Sequence, residues 1–262
     1  VIPLIVLGGL LGLVVGSFLN VVVWRVPRGE SVVSPPSACP RCGHRVRPRD
    51  NVPVLSWLLL RGRCRDCGEP IARRYPLVEA ATGLAFAGVV AWLGVDWAVP
   101  AFWYLAAVTI ALALIDLDVR RLPDAIVLPS FVVGAALLAL ATWGPGADVP
   151  ADAFVRALLG AAAMGGAYVV IFLVHPSGMG LGDVKLAAVL GLYLGWIGWG
   201  AVVVGWFAGF LLGGVFAVGL LAARRAGRRT AIPFGPWLLA GAWVGLVAGP
   251  AVAGWYLGIL GL

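Results

Sequence analysis

The chain has 262 residues, of which 61% are hydrophobic and only 12% charged, with a mean hydropathy of +1.00 and a formal net charge of +7. Soluble domains carry about 25% charged residues, so a soluble fold is excluded. Repeated apolar runs long enough to cross a bilayer predict an all-α polytopic membrane protein in contact with lipid. The basic excess is confined to particular loops, which reports topology and excludes nucleic-acid binding as its cause.

Residues 1–24 predict a first transmembrane helix, with no basic leader before its apolar run and no Ala-x-Ala site after it, so a removable signal peptide is not expected. Residues 25–75 form a hydrophilic loop with eleven arginines. By the positive-inside rule this loop lies in the cytosol and the N-terminus outside. The remainder, 76–262, predicts spans near 76–94, 98–116, 124–143, 152–174, 184–197, 199–223 and 235–259. Together with the first, eight spans return every basic cluster (Arg120-Arg121, then Arg224, Arg225, Arg228 and Arg229) to one side. The span near 184–197 is short against the roughly 20 residues a crossing needs.

The four cysteines form two near-identical knuckles, Cys39-Pro40-Arg41-Cys42-Gly43 and Cys64-Arg65-Asp66-Cys67-Gly68. Two C-x-x-C-G turns can offer four thiolates to one tetrahedral metal, the pattern of structural zinc. A cytosolic loop keeps thiols reduced, which disfavours disulfides, and paired knuckles argue against a lone redox dithiol. Metal would fold a loop too polar and too rich in Pro and Arg to build a core. His44 beside the first knuckle reads as a bystander.

Two acids stand out. Asp116 ends an apolar span in Leu114-Ile115-Asp116-Leu117-Asp118, and Asp183 follows the glycine run Gly178-Met179-Gly180-Leu181-Gly182 where another span begins. Ionisable groups at membrane spans are costly and point to function. The glycines predict a bent, exposed backbone presenting Asp183. Asp116 ends an inward-going span and Asp183 starts an outward-going one, so both lie near the cytosolic face at matching depth. Two carboxylates that share a proton can activate water, which reads as a membrane-embedded aspartic protease. A proton-coupled transporter would also place acids in spans, more often near midplane on interrupted helices. A non-catalytic assembly factor docking through the metal loop is a third reading. Asp118 and Asp124 read as solvated helix-end residues, Lys185 as a basic anchor and His175 as incidental. Glu79, just inside the second span, reads equally as a boundary residue or as an acid facing the cytosolic site.

With these residues in order, the chain closely resembles the type IV prepilin peptidases, bifunctional membrane enzymes that also serve type II secretion. The resemblance runs through Gly16-Ser17-Phe18-Leu19-Asn20, both knuckles, Arg74-Tyr75-Pro76-Leu77-Val78-Glu79, Ile115-Asp116-Leu117-Asp118 with Leu122-Pro123-Asp124, Gly180-Leu181-Gly182-Asp183-Val184-Lys185-Leu186, and Ile232-Pro233-Phe234-Gly235-Pro236. It implies that Asp116 and Asp183 are the catalytic pair, supported by Gly180 and Gly182 in the active-site loop. It further implies a location in the plasma (inner) membrane and cleavage of prepilin or pseudopilin precursors at the cytosolic face. A second activity follows from the resemblance, N-methylation of the new N-terminus from S-adenosylmethionine, associated with the cysteine loop and with Gly62 and Glu79.

Overall fold

A computed structural model describes residues 1–176, 179–224 and 233–261. Gly178 of the glycine run, Arg225, Arg228 and Arg229 of the last basic cluster, and Ile232 lie outside the described residues. The described residues are helical apart from loops and two isolated β-bridges. Lipid offers backbone groups no hydrogen bonds, so an apolar chain of this kind must satisfy them within helices.

The helices are α1 (Ile2–Arg25), α2 (Leu55–Leu59), α3 (Arg74–Leu93), α4 (Val99–Val119), α5 (Asp124–Trp143), α6 (Asp152–Val174), α7 (Leu181–Ile197), α8 (Trp199–Ala222) and α9 (Gly235–Ile259). Seven of them are long and apolar enough to cross a membrane, and the chain is a multi-pass membrane protein. The exception among the predicted spans is α7. At 17 residues it falls short of a full crossing, and it starts earlier than expected, so that Asp183 belongs to its first turn. Asp116 likewise lies within α4, one turn before its end, because the helix runs on to Val119.

The chain divides into two compact units, Val1–Ala111 and Leu112–Leu262. In the first, α1 packs on α3 along small residues. A Cβ on Gly12 would come 2.8 Å from Gly83 Cα, and one on Gly16 2.7 Å from Glu79 Cα. Membrane helices gain little from hydrophobicity against lipid and associate through such close backbone approach. Phe86 and Trp103 stack at 5.3 Å, and the Trp103 indole donates to the Phe86 carbonyl at 2.9 Å.

In the second unit α7 is the inner element. Every residue from Val189 to Trp196 is buried, and α5, α6, α8 and α9 all pack on it. Toward α6 the backbones nearly touch: a Cβ on Gly160 would lie 2.8 Å from Gly195 Cα. Arg156 of α6 donates to the Gly195 and Trp196 carbonyls at 2.9 and 3.1 Å. Those carbonyls belong to the last turn of α7, where a helix leaves acceptors unpaired and a cation is favoured. Toward α5 there are three ties. Lys185 pairs with both oxygens of Asp124 at 2.8 Å, the Tyr193 ring covers Gly134, and the Trp196 indole donates to Thr142 Oγ1 at 3.0 Å. Asp124 and Lys185 are therefore partners of each other, which gives both a structural task.

The α6–α7 contact leaves no room for a side chain. Gly160→Val should destabilise the chain by about 1–3 kcal/mol through overpacking, read as a lower thermal midpoint in detergent. Gly166→Ala on the same helix, where a Cβ meets nothing within 4 Å, should leave the midpoint unchanged.

Candidate active site and metal centre

Asp116 and Asp183 both fall in the second unit. Asp116 is 6% exposed, on the same helix as the buried Ile115. Its Oδ2 accepts a hydrogen bond from the Gly235 N–H at 3.1 Å. That N–H opens α9, where a helix has free donors and its dipole favours an anion. Asp183 is half-buried in the first turn of α7, and its Oδ2 accepts from the Gly180 N–H at 3.2 Å. The return bond is backbone, from the Asp183 N–H to the Gly180 carbonyl at 3.1 Å.

One side chain ties the two acids' surroundings together. Leu122, in the connection from α4 to α5, lies where a Cβ on Gly182 would meet it at 2.9 Å and where one on Gly235 would meet it at 3.3 Å. A Cβ on Gly235 would also come 2.7 Å from Asp116 Oδ2. Gly182 therefore adjoins Leu122, Leu122 adjoins Gly235, and Gly235 bonds Asp116. Asp116 lies within electrostatic reach of Asp183. Two interacting carboxylates resist ionising together, so one could act as base toward water while the other donates.

The glycines act differently from the expectation of a bent backbone. Gly180 is ordinary extended backbone at φ −82°, ψ 148°, and Gly182 is helical. Neither has the left-handed φ that favours glycine. Their value is space, most strictly at Gly182 beneath Leu122. Asp118 lies exposed on the last turn of α4, and His175 is exposed after α6. Gly235 and Leu122 stood in the motifs already quoted, yet their pairing with Asp116 and Gly182 is non-local and no spacing reveals it.

In the first unit the four cysteine Sγ atoms lie within 4.8 Å of one another. The two knuckles repeat one design. The first cysteine carbonyl accepts from the glycine N–H at 2.9 Å in each, and its own N–H bonds the carbonyl five residues on, His44 or Glu69. Gly43 and Gly68 take left-handed φ of 71° and 74°, which closes the turn. Cys39 and Cys67 Sγ are 3.7 Å apart. A tetrahedral ion with metal–sulfur bonds near 2.3 Å requires sulfurs about 3.8 Å apart, so the donor set fits a four-thiolate metal. Backbone N–H groups of Cys42 and Arg41 draw the Cys39 thiol down to about 7. The Glu69 N–H pulls Cys67 the same way, but desolvation and the other thiols push it up to about 12. Four sulfurs this close resist ionising together without a cation.

Ion pairs stitch the knuckles: Arg41 to Glu69, Arg47 to Asp66 at 2.7 Å, and Arg65 to both oxygens of Asp50. The Arg65 guanidinium holds the Asp50 carboxyl below the usual carboxylate range. His44 contributes its backbone carbonyl to a turn, and its ring is not among the clustered ligands.

Gly62 is buried at φ 68° with the Trp57 ring directly on it, so that a Cβ there would meet Cζ2 at 2.8 Å. The Trp57 indole donates to the Ile71 carbonyl at 3.1 Å, and the Ile71 N–H returns to Gly62 at 2.7 Å. Glu79 is 9% exposed, and its carboxylate accepts the Val54 N–H at 2.7 Å. Val54 carries φ 60° and ψ −50°, a strained conformation for a β-branched residue. Glu79 thus fastens the start of α2 to α3. Glu79→Ala should orphan a part-buried N–H, cost about 1–3 kcal/mol and lower the thermal midpoint. Glu79→Gln keeps an acceptor and should lose less.

Comparison with known proteins fits this geometry. Residues 10–93 match the family model described as the bacterial peptidase A24 N-terminal domain, and residues 103–218 match the type IV leader peptidase family. A protein of Aeromonas hydrophila named prepilin leader peptidase/N-methyltransferase is 37% identical, with 95% of this chain and 92% of that protein aligned. One of the same name from Pseudomonas aeruginosa is 38% identical over 96% and 93%. A third, from Myxococcus xanthus, is 42% identical over 84% of this chain and 64% of the relative. No solved structure matches. The chain belongs to the type IV leader peptidase family.

Proposed function

We propose that this chain is a membrane aspartic endopeptidase that removes the leader peptide of type IV prepilins and pseudopilin precursors, with Asp116 and Asp183 as its catalytic pair. The observation that supports this most is the chain of contacts Asp116–Gly235–Leu122–Gly182 beside Asp183. It brings two half-buried or buried acids from helix ends that are 67 residues apart in sequence into one neighbourhood. In the proposed mechanism one carboxylate, ionised, takes a proton from water as that water attacks the scissile carbonyl. The other, protonated, donates to the carbonyl oxygen as negative charge develops there. The Gly235 N–H stabilises negative charge on Asp116. The dyad titrates as a pair, so the roles belong to the pair. Gly180 and Gly182 support the site by leaving space against Leu122 and by bonding Asp183.

The proposed division of labour is 1–24 as first transmembrane helix, 25–75 as a cytosolic metal-loop domain and 76–262 as the peptidase domain. The two family models, over 10–93 and 103–218, also separate an N-terminal from a C-terminal part, with α3 on the N-terminal side. The eleven arginines of the loop support an inner-membrane orientation with loop and acids at the cytosolic face and the N-terminus outside. Zinc is the proposed metal, held by Cys39, Cys42, Cys64 and Cys67, where it would fold the loop by tying the two knuckles together.

The N-methyltransferase half of the proposal rests on relatives of that name, matched over stretches that include the cysteine loop. S-adenosylmethionine is the methyl donor that the resemblance implies. No Gly-rich strand-to-helix turn of the kind that cradles a nucleotide occurs among the described residues of the loop. Gly62 and Glu79 serve methyl transfer by holding the loop in shape: one admits the Trp57 ring and the other anchors Val54.

Purified protein in detergent should cleave a prepilin-type precursor, and Asp116→Asn and Asp183→Asn should each abolish cleavage with thermal midpoint and metal content unchanged. Cleavage by either variant would remove that residue from the mechanism. Tolerance of both substitutions in a secretion assay would favour an assembly role.

One metal ion per chain is expected by elemental analysis, falling to near zero in Cys39→Ser/Cys64→Ser. Binding requires thiolates, so acidification through the range in which they take up protons should release the metal, and raising the pH should restore it.

A further inference from the structure

Tyr168, on α6, is fully buried, and its hydroxyl has no hydrogen-bond partner among the described residues. Burying a hydroxyl unpaired costs about 1–3 kcal/mol, and buried tyrosines usually find a partner. A residue chosen for packing alone would be phenylalanine here. The ring lies 5.7 Å from that of Phe210 and 6.4 Å from that of Phe234. Phe234 directly precedes Gly235, the residue whose N–H bonds Asp116. The α6–α7 contact runs antiparallel, with Gly165 against Ala188, so one turn on Tyr168 falls beside the first turn of α7 that carries Asp183. Asp183 uses Oδ2 for the Gly180 N–H, which leaves Oδ1 for another donor. An unmet donor and a spare acceptor thus share one neighbourhood.

We propose that Tyr168 is a positioning residue for Asp183: with substrate in place, Asp183 turns so that Oδ1 accepts a hydrogen bond from the Tyr168 phenol. This rests on Asp183 being catalytic. The phenol keeps its proton and no covalent bond changes. Its task is to fix the carboxylate in the orientation from which it handles water, an alignment to which rates are sensitive. The groups that could compete are few. Asp116 comes from α4, and His175 follows α6. Lys185 of α7 is held by Asp124 of α5. The helical segments of α8 and α9 bring only Tyr256, at the opposite end of α9 from Gly235.

The test compares full-length wild type, Tyr168→Phe and Asp183→Asn in detergent on a prepilin-type precursor across pH. Phenylalanine keeps the ring and its stacking. The expected result is a kcat about tenfold lower, an unchanged KM, and a thermal midpoint equal to or above wild type. A carboxylate deprived of a donor holds its proton more tightly, so the acid limb of the kcat profile, which reports the substrate-bound enzyme, should move to higher pH. Wild-type kcat and pH profile in Tyr168→Phe would overturn the inference. So would a lowered midpoint with no shift of the acid limb, since that marks a purely structural residue. Cleavage by Asp183→Asn would instead sink the dyad itself, whatever Tyr168→Phe does.

Discussion

The second unit depends on the near-contact of two backbones. Where α6 meets α7, Gly160 lies against Gly191 and Gly195, and no side chain separates the helices. That closeness lets a 17-residue helix occupy the middle of the unit, wrapped by four others. A helix too short to span the bilayer would be a poor membrane segment if it faced lipid. Inside protein its length is free to match the site it carries. The first turn of α7, and with it Asp183, lies beside Leu122 of the connection from α4 to α5.

Much of this was legible in the residues. Apolar runs marked the helices to within a few positions, since a membrane span must be both apolar and long. The knuckles marked the metal cluster because their chemistry is local: two thiols three residues apart, followed by a glycine. Asp116 and Asp183 stood out because a carboxylate at a span boundary is expensive. What could not be read was pairing across distance. The bond from Gly235 to Asp116 joins residues 119 apart, and that from Val54 to Glu79 residues 25 apart. Glu79 was open between a boundary residue and a site acid because its sequence neighbours say nothing of Val54. Of the glycine run, Gly180 and Gly182 are described, and neither has the bent backbone expected of it. Alternate glycines look like a bent backbone, whereas Gly182 is a steric accommodation of Leu122.

The two units solve the problem of polar groups differently. In the first, arginines and acids near the knuckles pair at the surface, where each pair contributes little alone. Their effect is to hold two turns in register so that four sulfurs converge. In the second, several polar side chains are used at helix ends: Arg156 on the last carbonyls of α7, Asp183 on the Gly180 N–H just before it, Lys185 on Asp124 at the start of α5. The buried Tyr168 hydroxyl has no such use among the described residues.

The bond from Gly235 to Asp116 also sets an order in time. Asp116 is made well before Gly235, which opens α9, the last helix among the described residues. Until that helix has been translated and inserted, Asp116 lacks its donor and Leu122 lacks one of the surfaces that seat it. A nascent chain carrying Asp116 and Asp183 therefore holds them in an incomplete neighbourhood until α9 is in place. The fold ties completion of the Asp116 neighbourhood to the arrival of α9.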